Sequence, residues 1–344
     1  MSTRAYRRLA VATLVATFLL IVLGGIVRVS GSGLGCGPEG SGFHGWPFCN
    51  GDIVPGFELT AVIEYAHRIV AGVVGVMIVS LFVLAVARRV EGPRLPTLTG
   101  ALVVLVAAQA GLGGLTVEKG LDEGLVAAHL GLAMVLLGGL LLLVRMCGAL
   151  FPSDDGGPTV DNATSNAPRP LKALAALTAL VMLATIVAGG YMAGTQNYGR
   201  PDYRLGDGAH HACGKEFPTC NGSFMPFGES RLVDIHLTHR AFMYLAVLLT
   251  VMLTAAVLRR RKALSAAAVA RARWLGVLVA VQVLLGALNV WLDEYELLIV
   301  AHLAVGTLVW AVALDLALSL APVRAVVRGR VPGNATLATA AGVK

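Results

Sequence analysis

Apolar residues along this chain gather into eight long blocks and do not alternate with polar ones. The blocks run Leu9–Val27, Val62–Ala87, Leu98–Val117, Leu125–Val144, Leu171–Ala193, Val233–Leu258, Leu275–Leu292 and Leu297–Leu320. Each is close to the ~20 residues a helix needs to cross a hydrocarbon core. None contains an internal proline. The pattern predicts an all-α integral membrane protein with eight transmembrane helices. The first block is too long for a signal-peptide core and runs into Gly24-Gly25-Ile26-Val27-Arg28 without a small-x-small cleavage site, so it is expected to stay as a signal anchor.

The second four blocks repeat landmarks of the first four in the same order. Ile21-Val-Leu-Gly-Gly25 matches Ile186-Val-Ala-Gly-Gly190 at an offset of 165, and Trp46-Pro-Phe-Cys-Asn-Gly51 matches Phe217-Pro-Thr-Cys-Asn-Gly222 at 171. His67-Arg68 matches His239-Arg240 at 172. Gln109-Ala-Gly-Leu-Gly-Gly-Leu-Thr-Val117 matches Gln282-Val-Leu-Leu-Gly-Ala-Leu-Asn-Val290 at 173, as His129 matches His302. Four helices separate the copies, so both cross in the same sense and equivalent residues share a depth. The expectation is two parallel pseudo-symmetric four-helix bundles: residues 1–150, a cytoplasmic linker over 151–170, residues 171–322, and a cytoplasmic tail over 323–344.

Composition agrees with this picture. Of 344 residues 56% are hydrophobic and 14% charged, and the mean hydropathy is +0.76. The net charge of +7 does not point to nucleic acid, because the basic residues fall on alternate loops. By the positive-inside rule those loops, and both termini, are cytoplasmic. Cys36, Cys49, Cys213 and Cys220 fall in the two long outer loops, where disulfides persist in an oxidising compartment. Cys147, at the opposite end of the fourth block, is expected as a buried free thiol.

Four of the eight histidines, His67, His129, His239 and His302, occupy repeat-equivalent places inside the blocks. At ~1.5 Å per residue, His67 lies roughly 31 Å from Arg88 and His239 roughly 30 Å from Arg259, close to the outer edge of the hydrocarbon. His129 and His302 follow short acidic loops and share that layer. A single such histidine reads simply as a helix-to-helix hydrogen bond. Two repeated pairs read better as axial ligands of haem, with glycines on the helices making room for the ring. No Cys-x-x-Cys-His occurs, which excludes covalent attachment, and a histidine pair with only Glu64 nearby makes a poor zinc site. Arg68 and Arg240 are placed either for haem propionates or for lipid headgroups. Glu64 precedes His67 by three residues, one turn away on the same face, whereas the second copy has His236 there. A carboxylate beside a bound ring can accept a proton or stabilise a cation, or simply be solvated. His210 and His211 are expected at the surface.

The combination of Glu64-x-x-His67-Arg68, His129, His239-Arg240, His302 and loops carrying Cys-Asn-Gly after Trp-Pro or Phe-Pro resembles the haem A synthase family across nearly the whole chain. The resemblance implies oxidation of the C8 methyl group of haem O to the formyl group of haem A, for cytochrome aa3-type oxidases. It implies that His67, His129 and Arg68 bind substrate haem O with Glu64 catalytic, while His239 and His302 ligate the iron of a resident haem b. It implies disulfides Cys36–Cys49 and Cys213–Cys220, the first taking part in electron flow or haem transfer. The implied partners are haem O, the protohaem farnesyltransferase (haem O synthase) that makes it, and cytochrome c oxidase assembly, with a homo-oligomer compatible. The implied location is the plasma membrane, with haem sites near the extracytoplasmic face. The gap from Cys36 to Cys49 is longer than the family's, and the insert Gly37 to His44 has no counterpart. A dihaem b electron carrier is the alternative, disfavoured because its haems would sit at two depths; a transporter would want broken helices.

Overall fold

A computed structural model describes residues 3–87, 94–150, 167–196, 208–292 and 295–320. All of the long elements are helices: α1 Thr3–Val29, α2 Leu59–Ala87, α3 Arg94–Glu118, α4 Glu123–Leu150, α5 Arg169–Gly194, α6 Arg231–Arg259, α7 Ala266–Trp291 and α8 Glu296–Leu320. All eight are long and apolar enough to cross a membrane. Apolar side chains such as Val73, Val104, Leu180, Leu248 and Val251 remain exposed, as expected of helices whose outer faces meet lipid. Residues 151–166 of the linker expected over 151–170, and the expected tail, lie outside the described residues; the last two residues of that linker open α5.

The helices outrun the apolar blocks because polar caps extend them. α7 starts nine residues before Leu275, at an alanine-rich turn that favours helix, and Ser265 accepts a hydrogen bond from the Ala268 amide at 3.2 Å. Ser230 caps α6 through the Val233 amide, and Asp122 caps α4 through the amides of Gly124 and Leu125. Pro170 sits in the first turn of α5, where its missing N–H costs nothing.

Neighbouring helices close each set of four into a ring. In the first half α1 packs on α2, α2 on α3, α3 on α4, and α4 back on α1; the second half repeats this as α5–α6–α7–α8–α5. The halves meet where α4 packs on α5 and α8 on α1, with α4 against α8 between them. One apolar core, with Ile78, Leu81, Leu102, Leu140 and Leu143, fills the first half and holds the buried free thiol of Cys147. A larger one runs through the second half and across the seam, where Trp310 donates to the Ala179 carbonyl at 3.1 Å. At the seam's far end from the loops, Asp315 of α8 bridges Arg145 of α4 and Arg271 of α7, each at 2.5 Å. A carboxylate shared by two guanidiniums offsets the cost of burying charge among apolar helices.

Candidate functional site

The two long loops, between α1 and α2 and between α5 and α6, cover the same end of the bundle and share a local design. A short 3-10 turn, Ser32–Leu34, packs on α1 and α2, and its counterpart Ala209–His211 packs on α5 and α6. Two residues further comes the first cysteine of each disulfide: Cys36–Cys49 and Cys213–Cys220 both form. The turns and the first cysteines stand at an offset of 177, whereas the second cysteines keep the 171 of the Cys-Asn-Gly landmark; the unequal loop lengths hide the first match from the sequence comparison. In both loops the Asn-Gly after the second cysteine takes positive φ, at Asn50 and Gly51 and again at Asn221 and Gly222. That left-handed backbone is why the loop landmark reads Cys-Asn-Gly twice, since Asn and Gly adopt it with least strain. The insert Gly37 to His44 is stitched to the end of α3, where Glu118 accepts from the amides of Gly40 and Gly42.

Beneath the loops, His67 and His239 each fall eight residues after the start of their helix, and His129 and His302 each six. The four helices α2, α4, α6 and α8 all start from the loop end, so the four histidines gather at one level, about 9–12 Å in. Each ring rests against a glycine of an adjoining helix. A Cβ on Gly24 would stand 3.2 Å from His67 Cε1, on Gly113 3.1 Å from His129, on Gly189 2.9 Å from His239 and on Gly286 3.1 Å from His302. Four residues before Gly113, on the same face of α3, Gln109 donates to the His129 carbonyl at 2.9 Å; Gln282 does the same for His302 at 3.0 Å. The Gln and Gly of that repeated landmark are therefore a grip on the histidine-bearing helix. The sequence reading had the glycines as ring-lining in general. Of the described helix glycines only these four touch imidazoles; Gly25, Gly131 and Gly190 face aliphatic side chains, Gly114 faces Trp46, and Gly111 has nothing within 4 Å.

The rings of His239 and His302 lie 6.5 Å apart between centroids. A metal–imidazole bond is about 2 Å, and about 1 Å more separates each nitrogen from its ring centre, so one iron between them requires ~6 Å. His239 Nδ1 meets the Thr185 carbonyl at 3.0 Å. A carbonyl only accepts, so Nδ1 carries the proton and Nε2 keeps the lone pair a metal needs. The Nδ1 atoms of His67, His129 and His302 are buried with no hydrogen-bond partner in the structure. His67 lies within Coulombic range of His129. Two imidazoles per half, each beside a glycine that leaves space, fit an axially ligated haem.

The turn above His67 differs between halves. Glu64, 3% exposed, accepts from the Cys36 amide at 2.8 Å and forms an ion pair with Arg68, whose guanidinium also donates to the Phe48 carbonyl at 2.8 Å. The carboxylate and the first disulfide loop thus hold one another. His236, equally buried, donates from Nδ1 to the Ala209 carbonyl at 2.9 Å. Arg240 donates to the carbonyls of Thr219 and Glu216, both at 2.8 Å, and lies over the Phe217 ring. His210 departs from its expected surface position. It is half-buried, within Coulombic range of His236, His239 and His302, and burial holds its imidazole well below the ordinary histidine pKa. The 3-10 turn to which it belongs carries it inward, which loop composition alone does not reveal.

The two sites share a thin wall. Next to Gly24, Gly25 faces Leu303, the neighbour of His302; next to Gly189, Gly190 faces Leu130, the neighbour of His129. Each Gly-Gly doublet therefore touches one pair directly and the other through a leucine.

The fold and site define a class: a multi-pass helical membrane protein whose two halves each hold a histidine pair near one end. Residues 55–314 match the profile of the COX15-CtaA family, described as cytochrome oxidase assembly protein, and the chain belongs to that family. It is similar to the heme A synthase of Symbiobacterium thermophilum, 29% identical over 295 residues, covering 83% of this chain and 85% of that one. It is 27% identical to the heme A synthase of Shouchella clausii over 252 residues, 73% and 75% of the two chains. With the enzyme of the same name from Bacillus licheniformis it shares 31% over 143 residues, 42% and 45% of the two. The matched region of the family profile includes Glu64 and all four paired histidines, while Cys36 and Cys49 precede it.

Proposed function

We propose that this protein is a haem A synthase, oxidising the C8 methyl group of haem O to the formyl group of haem A by successive hydroxylations that end in loss of water. The observation that carries the reading is the pair of glycine-cradled histidine pairs, matched across the repeat but differing at Glu64 against His236. Family membership and the similar heme A synthases support it.

The first half takes the substrate. His67 and His129 hold haem O axially, and Glu64, one turn from His67, accepts a proton or stabilises positive charge as the methyl carbon is oxidised. Arg68 keeps Glu64 in place and, with five N–H donors, retains capacity for an acidic group of the substrate. In the second half His239 and His302 ligate haem b, which when bound supplies one-electron redox chemistry. His239 is set for this by its Nδ1–H bond to Thr185. A carrier of electrons alone needs no carboxylate beside only one of its haems.

The two halves, 1–150 and 171–322, stand as parallel pseudo-symmetric bundles, a reading supported by their matching helix neighbours. The basic loops support a reading with both termini in the cytoplasm and the histidines near the outer face of the plasma membrane. Haem O arrives from a protohaem farnesyltransferase, and the product serves cytochrome c oxidase assembly. The Cys36–Cys49 loop, through the Cys36 amide, couples to Glu64 and so to the site it covers.

Production in cells that make haem O but no haem A tests the reading. Chromatography of extracted pigment should show haem A alongside haem b. Haem b alone, with haem O left unconverted, would overturn it.

A further inference from the structure

The outer turn over the second histidine pair is pinned on both sides. The Ala209 amide donates to Thr195 Oγ1 at the end of α5 at 2.8 Å, and the Ala209 carbonyl accepts from His236 of α6. The next residue, His210, therefore leaves a turn held by the two helices that flank it, α5 and α6, and tied to His236, one helical turn outward of His239; there it lies half-buried. In the first half the corresponding turn has Gly33 at this place. A Cβ there would come 2.9 Å from Leu121 Cδ1, so the flexible leucine would have to give way before a side chain as large as an imidazole could stand there. Leu121 belongs to the short turn between α3 and α4, at positive φ.

We infer that His210 is a fixed lid over the second histidine pair, retaining the haem bound there, while the first pair, whose matching turn carries Gly33 and no imidazole, exchanges its haem. The assignment rests on the proposed haem sites and adds what makes one occupant resident and the other a passing substrate. Side chains that close a metal site to solvent control how readily its contents leave. The rigidity of the turn matters as much as the imidazole: with Ala209 tied at both its amide and its carbonyl, the backbone that carries His210 cannot lift away without breaking two hydrogen bonds.

The test uses the purified full-length protein in detergent, carrying the haem it acquires in the cell, with excess apomyoglobin as acceptor. Loss of haem b is followed by absorbance, and low-spin bis-histidine signals are recorded by electron paramagnetic resonance before transfer. His210→Gly, which copies Gly33, should lose haem b about tenfold faster than the unmodified protein, within the 10–100-fold range seen when groups around a metal site are removed. Its starting low-spin signal should be unchanged, which shows the ligands and fold intact. His210→Phe, which keeps the bulk, should stay near the original rate. Equal haem loss for His210→Gly and the unmodified protein would sink the lid, as would His210→Phe losing haem as fast as His210→Gly. Failure of the underlying haem reading is separately visible: the unmodified protein would then show no low-spin signal abolished by His239→Ala.

Discussion

The two halves share a scaffold and differ in how firmly they hold their histidines. In the second half His239 is oriented through Thr185, Gly189 stands closest of the four glycines to its ring, and the turn above is tied to both α5 and α6. In the first half neither ring nitrogen Nδ1 is bonded, Gly24 leaves more room, and the buried polar group above is an ion-paired carboxylate tied to a disulfide loop. On the proposed function, the repeat supplies two matching pockets, and a few substitutions then decide which is a holder and which a reactor. Function lies in those substitutions more than in the fold.

The sharpest way to break the comparison is at Glu64. Glu64→Gln keeps the shape and one acceptor oxygen, enough for the Cys36 amide, but removes the charge and puts an NH2 donor where an acceptor faced Arg68. Haem A formation should fall by about a hundredfold to ten thousandfold, the usual contribution of a positioned acid or base, with haem b content unaltered. Unchanged haem A yield in cells supplied with haem O would remove Glu64 from the chemistry and leave the halves distinguished only by packing. The histidines sort the same way. His67→Ala should abolish haem A formation and spare the haem b spectrum, whereas His239→Ala should abolish that spectrum; identical phenotypes would contradict a division of labour.

Much of this arrangement was legible in the sequence. Eight apolar blocks become eight helices because lipid-facing helices are apolar all round, so hydropathy reports them directly. His67 and His239 were visible because a charged or metal-binding residue inside an apolar block stands out. Gln109 and Gln282 were noticed only as landmarks, since a side-chain amide reaching a neighbouring helix's carbonyl leaves no local pattern. His210 was misplaced for a related reason. Its environment is set by a three-residue turn and by α6 twenty-odd positions away, and the unequal insertions around the cysteines concealed its match to Gly33.

Smaller effects should come from the glycines. Gly189→Ala places a Cβ 2.9 Å from His239 Cε1 and 3.2 Å from Nδ1, so the ring has to turn and its bond to Thr185 is lost. Overpacking of this kind costs about 1–3 kcal/mol, read as reduced haem b per protein. Gly24→Ala, at 3.2 Å from His67 Cε1, demands a shift of a few tenths of an ångström and meets an imidazole with no Nδ1 bond to lose. Its effect, read as the KM for haem O, should be the milder. If the two cost the same, the second half is no more tightly built than the first. Gly113→Ala and Gly286→Ala form the control, since their Cβ atoms would both stand 3.1 Å from the facing ring and should give matched effects on their own sites.

The smallest effect probes whether the halves are separate at all. Gly25 belongs to the first half, yet a Cβ there would lie 2.6 Å from Leu303 Cδ2, next to the second-half ligand His302. The leucine has a flexible end and will yield, at the about 0.5–1.5 kcal/mol of a side chain pushed off its preferred rotamer. Gly25→Ala should therefore leave the KM for haem O nearly unchanged and instead alter the low-spin signal or midpoint potential of the second-half haem. The reverse substitution, Gly190→Ala, presses Leu130 beside His129 at 3.0 Å and should alter haem O binding while the haem b signal stays put. Crossed responses of this kind follow if each glycine presses on the leucine next in sequence to a histidine of the other half. If each substitution instead perturbs only the haem of its own half, the leucines do not transmit across the seam, and the two sites are coupled by nothing more than proximity.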